Sequence, residues 1–349
     1  MSSKLFREGG PHQIKHLGGD QYRMSITLPT DEDGRLAREC PNPACSPGYF
    51  KVKPGTGITD GQSTAYCPYC RRSADPNEFS TREQVRYAKD LVLREAQKGL
   101  DEVIKDALGL GPSGKRKIDG GLISIEMSYK PGRLLHVQRP YEDEVRRDVV
   151  CPHCKLDHTV FGLATWCPDC GEDIFLTHVE AELNVFRHML SDVTRRKELF
   201  GARVAAKDLE NLLEDAVSLF EATMKAIVRR ALLSRGRAAE KVELEIKRFG
   251  NAFQNIAKTK DRLKELFQYT VVEDAYWATL ATAFEKRHPI AHNLGVVDRK
   301  YLERAQAAVR EGREIRVTAS EVEDVLSAVN EVIRSLYQGL VRIVEGDGA

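Results

Sequence analysis

Eight cysteines in two groups of four constrain this 349-residue chain more than any other feature. Cys40-x4-Cys45 is followed by Cys67-x2-Cys70, and Cys151-x2-Cys154 is followed by Cys167-x2-Cys170. In a reducing compartment this grouping points to metal rather than disulfides, and four thiolates satisfy tetrahedral Zn2+. Each spacer holds the makings of a hairpin. The first has Tyr49-Phe50-Lys51-Val52 ahead of Pro54-Gly55-Thr56-Gly57, and the second has Val160-Phe161-Gly162-Leu163. Two zinc ribbons are therefore expected, with one structural ion each. A centre closed by four sulfurs has no open coordination position, so the metal is read as a staple for small β units or as support for a recognition surface. His153 and His158 are capable ligands, but four cysteines already saturate each site. Tyr66, Tyr69 and Arg71-Arg72 are candidates for contact with a single nucleic-acid strand.

The length allows two or three folded units, and the patterning divides the chain in order. Residues 1–20 carry Gly9, Gly10, Pro11, Gly18 and Gly19 with little periodicity and read as a flexible tail. Residues 21–80 form the first ribbon, opened by a strand over Tyr22–Leu28 and a turn at Thr30–Gly34. Residues 81–121 are a helix and loop linker, in which Ser80-Thr81-Arg82-Glu83 reads as a capping box for a helix to about Leu108. Residues 122–176 hold strands at Leu122–Tyr129 and Leu134–Val137 and then the second ribbon. The loop Gly111-Pro112-Ser113-Gly114-Lys115 lacks the full phosphate-loop pattern and follows a helix, so it carries no nucleotide reading. A connecting helix spans 177–200, and 201–349 is a helical bundle. The fold class is thus α+β and multidomain.

In the bundle, Leu209, Leu212, Leu213, Ala216, Leu219, Phe220, Met224, Ile227 and Val228 mark a long first helix. A second runs over Phe249–Phe267. A third, from Val272, carries Trp277, Leu280, Ala281 and Phe284, and the last covers Glu321–Val344 behind a Ser320-x-x-Glu323 cap. Charge is uneven here. Lys225 through Lys264 contains twelve Lys or Arg against four Asp or Glu, although the whole chain has a net charge of only +1. Such a face suits either a polyanion, held by phosphate contacts without sequence readout, or simple solvation.

The third helix leads into Arg287-His288-Pro289-Ile290-Ala291-His292-Asn293. The apolar stripe, continued by three residues, reaches Arg287, and Pro289 is expected to break the helix so that Arg287 ends it and His292 lies just past the break. A permanently charged fork suits phosphate, and an imidazole titrating near neutrality suits proton transfer. The same Arg-x4-His spacing occurs at Arg7 and His12 without helical context, so context has to carry the reading. A salt-bridged Arg and a capping His are the plainer alternative.

An Arg closing an apolar-striped helix, followed by a polar residue, a few more and a His, resembles the HEPN superfamily of helical nucleotide-binding domains. The resemblance covers roughly 201–344. It implies a metal-independent endoribonuclease of toxin or defence type that leaves a cyclic phosphate. His292 would be the acid or base, Arg287 the phosphate clamp, and His288 an orienting or second proton-handling group. It also implies RNA as partner and a homodimer in which two motifs face each other. Two rival readings stand beside it. One is a non-enzymatic nucleic-acid or nucleotide-binding protein. The other is an interaction partner, with an antitoxin or regulatory protein as its counterpart. No apolar run has the length of a signal peptide core or a membrane span, so no membrane is expected and the cytoplasm is the expected compartment.

Overall fold

The computed structural model describes residues 5–111, 113–119, 124–141, 143–144, 147–269, 273–305 and 309–342. They form a mixed α/β protein with eight α-helices and small antiparallel sheets among the described residues. Two compact units divide the chain: 1–162 with 166–173, and 163–165 with 174–349.

The first unit is built on a four-stranded antiparallel sheet of order β3-β4-β10-β9. β3 (Leu36–Glu39) and β4 (Tyr49–Val52) come from the first cysteine group, β9 (Arg147–Val150) and β10 (Asp157–Val160) from the second. Phe50 lies opposite Val160 and Lys51 opposite Thr159. All four side chains are buried, so both faces of the central pair are covered. The buried Lys51 ammonium is balanced by Asp31 at 2.8 Å. Two ribbons were expected as separate domains, 21–80 and 122–176; the β4–β10 ladder places both in one sheet. Pairing between strands so distant in sequence leaves no local signal, since either hairpin has the same alternation alone.

Residues expected as a free tail are ordered in part. β1 (Lys15–Gly18) and β2 (Gln21–Arg23) form a hairpin, with Ile14 buried beside it. The strand expected over Tyr22–Leu28 therefore ends at Arg23. β5 (Ala65–Tyr66) pairs with β6 (Ser73–Ala74) around the Cys67–Cys70 turn, and β7 (Lys115–Asp119) pairs with β8 (Ser124–Ser128). Leu122 and Pro112 lie outside the described residues, and Leu134–Val137 is not a strand.

Helix α1 (Arg82–Ala107) has a capping box one residue later than expected. Thr81 accepts from the Gln84 N–H at 3.2 Å, and Gln84 Oε1 accepts from the Thr81 N–H at 3.0 Å. The register is decided by tertiary demand, because Gln84 is fully buried and its Nε2 donates to the Ala37 carbonyl of β3 at 2.9 Å. A Gln84→Ala change removes the two hydrogen bonds of its side chain and takes the partner from the Ala37 carbonyl. It is expected to cost about 1–3 kcal/mol, read as a lower urea midpoint.

The second unit is helical: α2 (Phe175–Phe200), α3 (Ala202–Ser234), α4 (Ala239–Phe249), α5 (Ile256–Phe267), α6 (Asp274–Asn293), α7 (Arg299–Ala305) and α8 (Ala319–Tyr337). The segment expected as a connector, 177–200, is α2 and packs on α3 and α8, so it belongs to the bundle core. Phe175 stacks on Tyr337 with centroids 4.8 Å apart, and Phe220 meets Phe284 edge-on at 5.3 Å. The expected second helix is two helices. Phe249 ends α4, and Gly250 at φ +48° followed by a short 3-10 turn at Ala252–Gln254 separates it from α5. The cap of α8 is Thr318 with Glu321, two residues before the expected Ser320 and Glu323. Val272 and Val344 lie outside the described residues. None of the described helices is long and apolar enough to cross a membrane.

Candidate functional site

Two cysteine centres are assembled in the first unit. Cys40 and Cys70 sulfurs lie 3.7 Å apart, as do Cys45 and Cys67, while Cys151–Cys170 is 3.8 Å and Cys154–Cys167 is 3.5 Å. In each group all four sulfurs fall within 4.8 Å of one another. Four sulfurs at about 2.3 Å from a tetrahedral ion stand roughly 3.8 Å apart, so both groups fit one such ion each. The donor set agrees with the spacing. Burial pushes the Cys45 and Cys170 thiols up to about 12, and that penalty on the thiolate is one a bound cation offsets.

Three of the four cysteine turns repeat one backbone pattern. The residue after the second cysteine (Arg71, Lys155, Gly171) has φ of +60° to +69° and donates its N–H to the first cysteine's carbonyl at 3.0 Å. The first cysteine's N–H in turn reaches the next residue's carbonyl: Cys67 to Arg72, Cys151 to Leu156, Cys167 to Glu172. Cys40-x4-Cys45 departs from the pattern because its turn is two residues longer.

The tyrosines considered for strand binding are engaged elsewhere. Tyr69 Oη donates to the Tyr49 carbonyl at 2.7 Å and accepts from the Phe161 N–H at 2.9 Å, joining the two ribbons. Tyr66 packs flat on Gly171, where an added Cβ would lie 2.9 Å from the ring. Arg71 lies over Trp166 at 4.1 Å. His153 is exposed and His158 is fully buried, and neither belongs to a four-cysteine group.

In the second unit, α6 carries the Arg-His segment, and it is not broken at Pro289. The helix continues to Asn293 and closes with Leu294 in the left-handed region and the Gly295 N–H on the Pro289 carbonyl at 2.8 Å. Proline forfeits one helical hydrogen bond but is buried here with Ile290, which holds the helix through the gap. The consequence is a change in which residues meet. His288 and His292, one turn apart, share a face, with ring centroids at 5.1 Å and planes at 57°. Arg287 projects roughly 100° away from His288 around the helix.

There its Nη1 donates to Gln254 Oε1 at 3.4 Å, in the turn between α4 and α5, while its buried Nε has no hydrogen-bond partner. Gln254 also donates to Glu221 of α3 at 2.7 Å. Burial acts to raise the Glu221 carboxyl, but bonds from Lys225 and Gln254 and the nearby Arg287 charge outweigh it and hold it below the usual value.

No family model, no curated protein and no solved structure matches this chain. The chemistry of the segment therefore rests on its own surroundings.

The two histidines face a short helix that the sequence reading missed. From α7, Lys300 and Arg304 bring positive charge to His288, with Asp298 opposing them. Partial burial first, then Lys300 and His292, hold the His288 pKa below its ordinary 6.5. Its stability contribution is thus fully present above 6.5 and is lost as the pH falls through the lowered value. An NMR titration should show the His288 ring protonating below 6.5; a midpoint at or above 6.5 would contradict this arrangement. Seven residues with one buried anchor, Tyr301, give too few turns for a periodic signal, which is why α7 escaped notice.

The basic stretch Lys225–Lys264 is partly neutralised. Ion pairs hold Lys225 to Glu221, Arg229 to Glu243, Arg248 to Glu245, Lys260 to Asp274 and Arg262 to Glu265. Lys241, Lys247, Lys258 and Lys264 on α4 and α5 are exposed, and no described residue forms an ion pair with them.

Proposed function

We propose that the second unit is a metal-independent endoribonuclease with a HEPN-like bundle, and that the cysteine groups of the first unit hold two structural zinc ions. The observation that carries the nuclease reading is the pair of imidazoles one helical turn apart, with Lys300 and Arg304 bringing positive charge to them. Cleavage needs a proton taken from the ribose 2′-hydroxyl as its oxygen bonds to phosphorus. It needs another proton given to the departing 5′-oxygen as the old P–O bond breaks, leaving a 2′,3′-cyclic phosphate.

His292 and His288 supply two proton-handling groups on one face. Arg287, Lys300 and Arg304 supply positive charge for the phosphorane-like transition state. To serve as the clamp, Arg287 would leave Gln254, giving up its 3.4 Å bond there, and swing toward the histidine face to meet phosphate oxygens. A homodimer would bring two such faces together.

The exposed lysines of α4 and α5 favour a second reading, a protein that binds RNA without cutting it. Incubating the purified protein with total RNA in EDTA, with the structural ions left in place, separates the two. Discrete fragments ending in cyclic phosphate support the nuclease, and intact RNA retained by the protein supports the binder.

A further inference from the structure

We infer that His288 and His292 form a binding site for a divalent transition-metal ion of the kind imidazole prefers, such as Zn2+, separate from the cysteine centres. The geometry carries the inference. Two imidazoles bound to one ion, each with a metal–nitrogen distance of about 2.0–2.1 Å and near-tetrahedral angles, place their ring centres roughly 5 Å apart. The two rings stand at 5.1 Å. They are tilted by 57° rather than stacked, an arrangement compatible with two rings sharing one ion.

A two-residue chelate on a continuous helix is rigid, because the i, i+4 spacing is fixed by backbone hydrogen bonds. This is the chemical consequence of α6 running through Pro289: a break there would have freed His292 from His288. His292 is exposed and His288 half-buried, so an ion reaches the pair from solvent without rearrangement of the core.

The charges around the pair define the site further. Lys300 and Arg304 oppose a bare cation, whereas Asp298, from the turn ahead of α7, favours one. Asp298 Oδ1 accepts from the Tyr301 N–H at 2.7 Å, and the carboxylate does not come close enough to both rings to make a three-ligand cluster. The two imidazoles are therefore the protein's ligands, and the open positions are filled by water or by an anionic oxygen that Lys300 and Arg304 also attract. Such a site is weaker than a four-thiolate centre and exchanges its ion freely. On the nuclease reading, on which this last step rests, an ion there ties up the lone pairs that move protons, so the metal acts as a reversible inhibitor.

The test is a calorimetric titration of Zn2+ into full-length protein that already holds its two cysteine-bound ions. A third, weaker site is expected. His288→Ala or His292→Ala should each weaken it roughly 100-fold, the gain expected of a second tethered ligand. His188→Ala, which alters an exposed histidine on α2, should leave it unchanged. Absence of a third site, or its persistence in the His288→Ala/His292→Ala double variant, overturns the inference. RNA cleavage, assayed in the same samples, answers a different question. A third site without cleavage leaves the metal site standing and removes the nuclease, whereas cleavage without a third site does the reverse.

Discussion

Cys67→Ser is expected to unfold both halves of the first unit, not only the ribbon it belongs to. Cys67 is fully buried among its three partner sulfurs, and losing one thiolate from a four-sulfur centre would remove most of its hold on a bound ion. Structural zinc contributes about 10–16 kcal/mol to the small domains it organises, as much as or more than the whole stability of a typical domain. β4 would lose its anchor, and β4 is the strand on which β10 pairs. Metal content should fall from two ions per chain to fewer than one, with the far-UV β signal and the Cys151–Cys170 centre lost together. A variant that keeps one full equivalent of zinc with protected amides in β9 and β10 would show the ribbons to be independent.

His292→Ala is expected to reduce RNA cleavage by about 10²- to 10⁴-fold, the range typical of a positioned proton-transfer group. RNA binding should change little if the exposed lysines of α4 and α5 supply the attraction. His292 is exposed, so its loss leaves the helix core intact and the melting temperature close to that of the parent. Arg287→Ala should match it in activity, and the double variant should cost about as much as either alone if the two act as a unit. RNA whose 2′-hydroxyl is replaced should be bound and left whole. Should His292→Ala cut as fast as the parent, the nuclease reading gives way to the RNA-binding one.

The two four-cysteine groups were legible because their signal is local. Four identical side chains at fixed spacing leave few other chemistries, and the knuckle backbone follows from the same short segments. The long amphipathic helices α1, α2, α3 and α8 were legible for the same reason, with periodicity sustained over many turns. What escaped was decided by contacts remote in sequence. The capping register of α1 is set by the Ala37 carbonyl, and the pairing of β4 with β10 by a partner on the far side of α1.

Pro289 is the instructive miss. The local rule predicts a break, but the buried face of α6 on either side, from Trp277 and Phe284 to Ile290, keeps the helix intact. The grouping expected of Arg287, His288 and His292 is therefore not the one the fold makes: the histidines pair, and Arg287 turns to Gln254. Gln254 and Glu221 had no signal of their own, because each is an ordinary polar residue until the fold brings Arg287 to it.

The interleaved sheet of the first unit also sets a timetable. During synthesis β4 emerges some hundred residues before β10. At about 5–20 residues per second, its edge waits roughly 5–20 s without a partner. An unpaired edge carrying Phe50 is a template for wrong pairing, and all four residues of the first cysteine group, Cys40 to Cys70, are made before β10. Early capture of a metal ion by that group would hold the β3–β4 hairpin shut while α1 is made. Scarcity of that ion during growth should therefore appear first as aggregated newborn chains, well before any mature molecule loses its metal.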